Sequence, residues 1–153
     1  MAKLTKIKQG DKAPYFEAED QTGKKISIND FKGKKIVLFF YPKDDTPGCT
    51  KEACNLRDNY SALKKAGYEI LGISNDPIKS HQKFIKKFSL PFPLLADVEK
   101  KIVTDYDVYG EKMLFGRKYM GIIRTTFVID EDQRIEKVIT DVNTEDHTNQ
   151  ILN

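Results

Sequence analysis

The sequence predicts an α/β protein: a central mixed β-sheet with helices on both faces and an N-terminal β-hairpin. Three observations predict it. Apolar runs at Ile36–Phe40 (IVLFF) and Tyr68–Ser74 (YEILGIS) read as strands covered on both faces. Each is followed by a helix-start signal, Thr46-Pro47 after the first and Asn75-Asp76-Pro77 after the second. Late in the chain, Thr125–Ile129 and Arg134–Ile139 flank a turn at Asp130–Gln133, a spacing that reads as an antiparallel hairpin. Strand–helix alternation gives a parallel centre, and the late hairpin adds antiparallel edges.

The remaining elements follow in order. Pro14-Tyr15-Phe16 and Ile26-Ser27-Ile28 read as short strands joined by a turn at Gln21–Lys24. The helix opened by Pro47 carries the apolar stripe Cys49, Ala53, Leu56, Tyr60, Leu63, and Gly67 is its C-cap. The helix after Pro77 covers Ile78, Phe84, Ile85 and Phe88, and Pro91 and Pro93 break it. Leu94-Leu95 is a short strand. Asp97 caps a helix bearing Ile102, Val103 and Tyr106. Residues 110–121, with Met113, Leu114, Phe115, Tyr119 and Met120, read as a loop packed over a pocket, and a short helix follows Thr144.

Composition bounds the function. The 153 residues, 39% apolar and 32% charged, make one ordinary domain spanning 1–153, of a soluble globular protein. The net charge of +3 is small, and lysines are dispersed, so neither nucleic-acid nor membrane binding is indicated. No apolar run approaches the roughly 18 residues of a membrane span. The opening MAKLTKIKQGDKAPYF lacks the apolar core of a secretory leader, which points to the cytoplasm. There, a pair of cysteines is more readily catalytic than structural.

Both cysteines, Cys49 and Cys54, lie in Tyr41–Arg57 (YPKDDTPGCTKEACNLR), where a strand hands over to a helix. With Thr46 as N-cap and Pro47 as first helical residue, Cys49 is the third residue of the helix. Backbone N–H groups without helical partners and the positive end of the macrodipole stabilise a thiolate at such a place. The thiolate is the nucleophilic form, so Cys49 is placed to react. In an unbroken helix, residues five apart are about 8.7 Å apart at Cα, beyond the roughly 4.4–6.8 Å of a disulfide. Either the two sulfurs never pair, or the first turns of helix unwind each time they do. The two histidines, His81 and His147, are scattered and give no metal-like spacing with the cysteines; His81 reads as a partly covered core-edge residue.

At these residues a resemblance enters. Pro42, Thr46 and Cys49 form a PxxxTxxC pattern that resembles the active-site signature of peroxiredoxins, thiol peroxidases on a thioredoxin-like fold. The continuation CTKEACNLRD resembles the peroxiredoxin Q group, also called bacterioferritin comigratory protein. GDKAPYFEAEDQTGK, YEILGISND, FPLLAD and RTTFVID extend the likeness over nearly the whole chain. The resemblance implies that Cys49 is the peroxidatic thiolate, attacking a hydroperoxide to become a sulfenic acid, and that Cys54 resolves it as a disulfide. It implies that Thr46 hydrogen-bonds the peroxide, Pro42 shields the sulfur, Arg124 supplies the cation beside it and Glu52 orients that arginine. It further implies no cofactor and no metal, reduction by thioredoxin or a similar dithiol, an antioxidant role and a monomer. A chain without a long C-terminal arm to hold the active-site helix folded is expected to resist inactivation by peroxide.

Two rival readings stand beside this one. A thioredoxin-like disulfide exchanger is disfavoured, because four residues separate Cys49 from Cys54 and Thr125 or Thr126 stands where such proteins carry a proline. A redox sensor or chaperone-like protein would use the cysteine pair as a switch, and would consume about one peroxide per chain. Arg57 reads as structural, pairing with an acidic neighbour along its helix.

Overall fold

The computed structural model describes residues 4–153; the first three positions lie outside them. Glu17–Glu19 (β1) and Lys25–Ser27 (β2) form an antiparallel hairpin, followed by a 3-10 turn at Ile28–Phe31. The hairpin was expected, but its first strand starts three residues late. Ile28 also leaves the strand register, because Ser27 and Asp30 close a capping box around the 3-10 turn.

Next come Lys35–Phe40 (β3), Pro47–Asp58 (α1), Tyr60–Lys65 (α2), Tyr68–Ser74 (β4) and Ile78–Phe88 (α3). Leu94–Ala96 (β5), Lys101–Asp105 (α4), Tyr109–Leu114 (β6), Arg117–Ile122 (β7), Thr125–Ile129 (β8), Ile135–Ile139 (β9) and His147–Leu152 (α5) complete the chain. The central sheet has the order β5-β4-β3-β8-β9. β3, β4 and β5 run parallel, and β8 and β9 are added antiparallel, as the sequence implies.

The alternation of β3 divides two cores. Ile36, Leu38 and Phe40 face Ile102 and Val103 of α4, with Tyr106 and Phe16. Val37, Phe39 and Tyr41 face Cys49, Ala53 and Leu56 of α1, Leu63 of α2, Phe84 of α3 and Ile151 of α5. Helices therefore cover both faces. The stripe read from the sequence is the buried side of α1 and α2, with Tyr60 half-exposed.

Three details depart from the sequence reading. The helix after Cys49 breaks at Asn59, whose side-chain amide donates to the Asn55 carbonyl at 2.8 Å, a local bond that competes with helix continuation. α3 ends before the prolines, at Ser89 in the left-handed region (φ 52°). The 110–121 segment is no loop over a pocket. It is the β6–β7 ribbon, turned at Phe115-Gly116, with Met113, Leu114, Phe115 and Met120 exposed to solvent.

α5 packs against α1. Asn55 Oδ1 accepts from the backbone N–H and the hydroxyl of Thr148, both at 2.8 Å, and Asn55 Nδ2 donates to the Glu145 carbonyl. Lys51 adds a surface ion pair with Glu145 at 3.1 Å. The short terminal helix read from the sequence is thus bonded to the active-site helix. Among the described residues no helix is long and apolar enough to cross a membrane.

Candidate active site

The register of β3 against β8 builds the site. Phe40 lies opposite Thr125, so the residue before β8, Arg124, stands beside the loop that leaves β3. That loop, Tyr41–Thr46, is pinned from beneath. Asp44 accepts from the Tyr41 hydroxyl at 2.6 Å, from the Ser80 hydroxyl at 2.7 Å and from His81 Nδ1 at 2.7 Å, while its backbone N–H donates to Asp76 at 2.8 Å. His81 Nε2 lies 3.0 Å from the Leu95 carbonyl oxygen, so both ring nitrogens are engaged. His81 is wholly buried, not the partly covered edge residue expected. Asp44, Asp76 and His81 have the proximity of a metal site, but the bonds just named already join them to one another and to the loop.

Thr46 is the N-cap and Pro47 the first helical residue, as expected. The Thr46 hydroxyl does not cap the helix, however; it donates to the Lys43 carbonyl at 2.8 Å. This fixes the oxygen at the mouth of the loop and leaves its lone pairs to accept a further hydrogen bond. Pro42 is half-buried on the same loop.

Cys49 is buried at the start of α1 and is a free thiol. Arg124 Nη2 donates to its sulfur at 3.3 Å, and Arg124 Nη1 donates to Glu52 Oε1 at 2.6 Å. Glu52 is wholly buried, one turn beyond Cys49 on the same helix. Burial pushes its carboxyl up to about 7, even though the Arg124 charge opposes the shift. Gly48 permits the close approach: a Cβ there would lie 3.0 Å from Arg124 Nη2. The structure thus brings Cys49, Glu52 and Arg124 into one bonded row. A guanidinium and a helix N-terminus thus meet at one sulfur, and the same cation can steady charge on a departing oxygen.

Cys54 is half-exposed and free, within the intact α1. Burial raises its thiol above the usual range; the Arg57 charge opposes this and Asp58 adds to it. Arg57 is structural, bonded to Asp58 at 2.9 Å and to the Phe88 carbonyl at 2.7 Å.

Two side chains at the site were given no role there by the sequence. Lys112 of β6 donates to the Ile122 carbonyl at 2.8 Å; burial and the Arg124 charge lower its pKa, while the Cys49 charge acts the other way. His147 of α5 lies 3.4 Å from Glu52 Oε2. Neither belongs to a local motif. Lys112 falls in a segment read as loop, and His147 is 95 positions from Glu52, by subtraction of their numbers.

A buried cysteine at a helix start, bonded to an arginine beside a thioredoxin-like sheet, is the arrangement of a thiol peroxidase of the peroxiredoxin class. Residues 9–138 match the AhpC/TSA family. The chain belongs to that family. It is 49% identical over 146 residues to the "Putative peroxiredoxin bcp" of Coxiella burnetii, covering 95% of this chain and 97% of that protein. It is 43% identical over 150 residues to the "Peroxiredoxin Bcp" of Escherichia coli, covering 98% and 96%. A solved structure of the Xanthomonas campestris bacterioferritin comigratory protein, described for its alkyl peroxide reduction activity, superposes with a TM-score of 0.86 at 28% identity, over 99% of this chain and 94% of that one. The chain is accordingly an enzyme that reduces peroxide through a thiol, is recharged by a thioredoxin-type reductant and serves antioxidant defence.

Proposed function

We propose that this protein reduces hydrogen peroxide and organic hydroperoxides by a cycle confined to α1 and the groups around it. The observation that carries the reading is the Cys49 sulfur 3.3 Å from Arg124 Nη2 at the first turn of a helix. The Cys49 thiolate attacks one peroxide oxygen, the O–O bond breaks, and the other oxygen leaves as water or alcohol after taking a proton. Thr46 holds the peroxide through its hydroxyl, Pro42 shields the sulfur, and Arg124, oriented by Glu52, steadies the departing charge. The sulfenic acid on Cys49 is then attacked by the Cys54 thiolate; the S–O bond breaks, the oxygen leaves as hydroxide and takes a proton to become water, and a disulfide closes. Because the two residues share one helix, the N-terminal turns of α1 must unwind for this step. Thioredoxin or a similar dithiol then reduces this disulfide by thiol–disulfide exchange, returning both thiols while its own two thiols become a disulfide. We further propose that residues 1–153 act as one domain, as a monomer, in the cytoplasm, and that the cycle uses neither metal nor organic cofactor.

A peroxidase assay with thioredoxin and its reductase, run with hydrogen peroxide and with organic hydroperoxides, tests this. Cys49→Ser is expected to abolish turnover. Cys54→Ser is expected to react once and stall as the sulfenic acid until a small thiol is added. Normal cycling of Cys54→Ser with thioredoxin would remove Cys54 from the scheme. Turnover limited to about one peroxide per chain with reductant in excess would mark a sensor instead.

A further inference from the structure

We propose that His147 is a positioning residue of this site: it and Glu52 hold one proton between them, and that proton governs how much of the Arg124 charge reaches the Cys49 sulfur. The inference rests on the peroxidase reading for its catalytic consequence, but not for its physical basis.

The hydrogen-bond directions carry the argument. Gln150 Oε1 accepts from the Asn143 backbone N–H at 2.9 Å, and Gln150 Nε2 donates to the Asp141 carbonyl at 2.8 Å, which orients the amide. His147 Nδ1 lies 2.8 Å from that same Oε1, an acceptor, so Nδ1 carries a hydrogen. The other ring nitrogen, Nε2, meets the Thr126 hydroxyl at 2.8 Å and Glu52 Oε2 at 3.4 Å. Glu52 Oε2 is buried and has no hydrogen-bond partner among the described residues.

Without an added proton, the Thr126 hydroxyl donates to Nε2, and a carboxylate oxygen faces a ring lone pair with no hydrogen between them. An unsatisfied buried charge of this kind is costly. One proton removes the conflict: the carboxyl donates to Nε2, or the cationic ring donates to the carboxylate while the Thr126 hydroxyl turns to accept. Burial raises Glu52 to about 7 against the opposing Arg124 charge. Burial lowers His147, with the Gln150 bond opposing and Arg124 adding to the fall. Both directions place the proton on the carboxyl.

The charged and titratable groups around the pair are few. On α1 there is Cys49; from the β7–β8 junction, Arg124; from β6, Lys112, which interacts with both. Thr126 on β8 and Gln150 on α5 are neutral, and Lys51 and Glu145 pair with each other at the surface. With the proton in place, Glu52 is neutral and Arg124 serves the sulfur alone. With it gone, two anions share one guanidinium. The proton on the pair therefore favours the Cys49 thiolate, and by linkage the thiolate holds the proton on the pair.

An NMR titration of the His147 ring tests this without any peroxide, so it stands apart from the peroxidase assay above. In reduced protein, Cys49→Ser is expected to move the His147 titration midpoint down by about half a unit, a roughly threefold change in proton affinity. A ring that titrates identically in both overturns the proposal. The second readout is the pH profile of the single-turnover reaction with hydrogen peroxide. The unmodified protein is expected to slow as the pair loses its proton above neutrality. His147→Gln should lose that limb and react about tenfold more slowly at pH 6. Thr148→Val, which loosens α5 without touching the pair, should keep the limb. A limb that survives in His147→Gln, or vanishes in Thr148→Val, overturns the assignment. If His147→Gln does not fold, the Cys49→Ser comparison decides.

Discussion

Asn55 of α1 and Thr148 of α5 are joined twice, the Asn55 Oδ1 accepting from the Thr148 N–H and from its hydroxyl, each at 2.8 Å. Asn55 is the neighbour of Cys54, and its helix is the one that must unwind before the two sulfurs can meet. α5 is thus a clasp on the redox helix. Asn55→Ala removes bonds worth roughly 1–2 kcal/mol, about tenfold in a local opening equilibrium. The Cys49–Cys54 disulfide is expected to form up to tenfold faster after a peroxide pulse, measured by quenching with an alkylating reagent. The same variant should survive higher peroxide concentrations, because its sulfenic acid is captured sooner. Unchanged rates would show that α5 does not restrain the opening.

Gly48 is required by its neighbour rather than by its own backbone. An added Cβ would meet Arg124 Nη2 at 3.0 Å, so Gly48→Ala displaces the guanidinium by a few tenths of an ångström. Alanine is also the better helix residue, by up to about 1 kcal/mol. The variant is expected to be as stable as its parent in urea, yet about tenfold slower with peroxide. A stable variant with unimpaired rate would mean that the arginine position is not critical to the chemistry.

How much of this was legible beforehand divides along one line. The buried strands, Thr46-Pro47 as helix start and the late hairpin are written in contiguous residues, whose apolar period and terminal signals act locally. Cys49, Glu52 and Arg124 could be named together only through the resemblance. Their meeting depends on the β3–β8 register, which no short stretch encodes. The roles of His147, Lys112 and the Asp44–His81 anchor went unread for the same reason: a polar residue looks alike in sequence whether solvent or a distant partner faces it. The β6–β7 ribbon was missed because its exposed Met113, Leu114 and Phe115 break the apolar-in, polar-out alternation that marks a strand.

The Cys54 thiol sets a second pH dependence. Burial raises it above its ordinary 9.0 in the folded helix. A group raised on folding adds stability that is present below its ordinary value and lost as pH rises through the folded one. Alkaline pH therefore both ionises Cys54 and loosens α1. Disulfide closure, followed after a single peroxide pulse, is expected to accelerate steadily from pH 7 to pH 9, by up to about tenfold per unit in the thiolate-limited range. A closure rate flat over that interval would mean that another step limits resolution.

Glu52 makes a contribution of the same sign at lower pH. Its carboxyl rises from 4.5 to about 7 on folding, first through burial. Between those values the folded protein binds a proton that the unfolded chain releases, so stability falls as pH rises across that window. The loss amounts to roughly 3 kcal/mol at most. Glu52→Gln has no carboxyl to titrate, and its urea midpoints at pH 5 and pH 8 should differ less than those of the unmodified protein. Measuring both proteins in the Cys49→Ser background removes the sulfur from the comparison. Parallel pH curves for the two would show that the buried carboxyl is ionised throughout, held so by Arg124, and that no proton is stored beside the reactive cysteine.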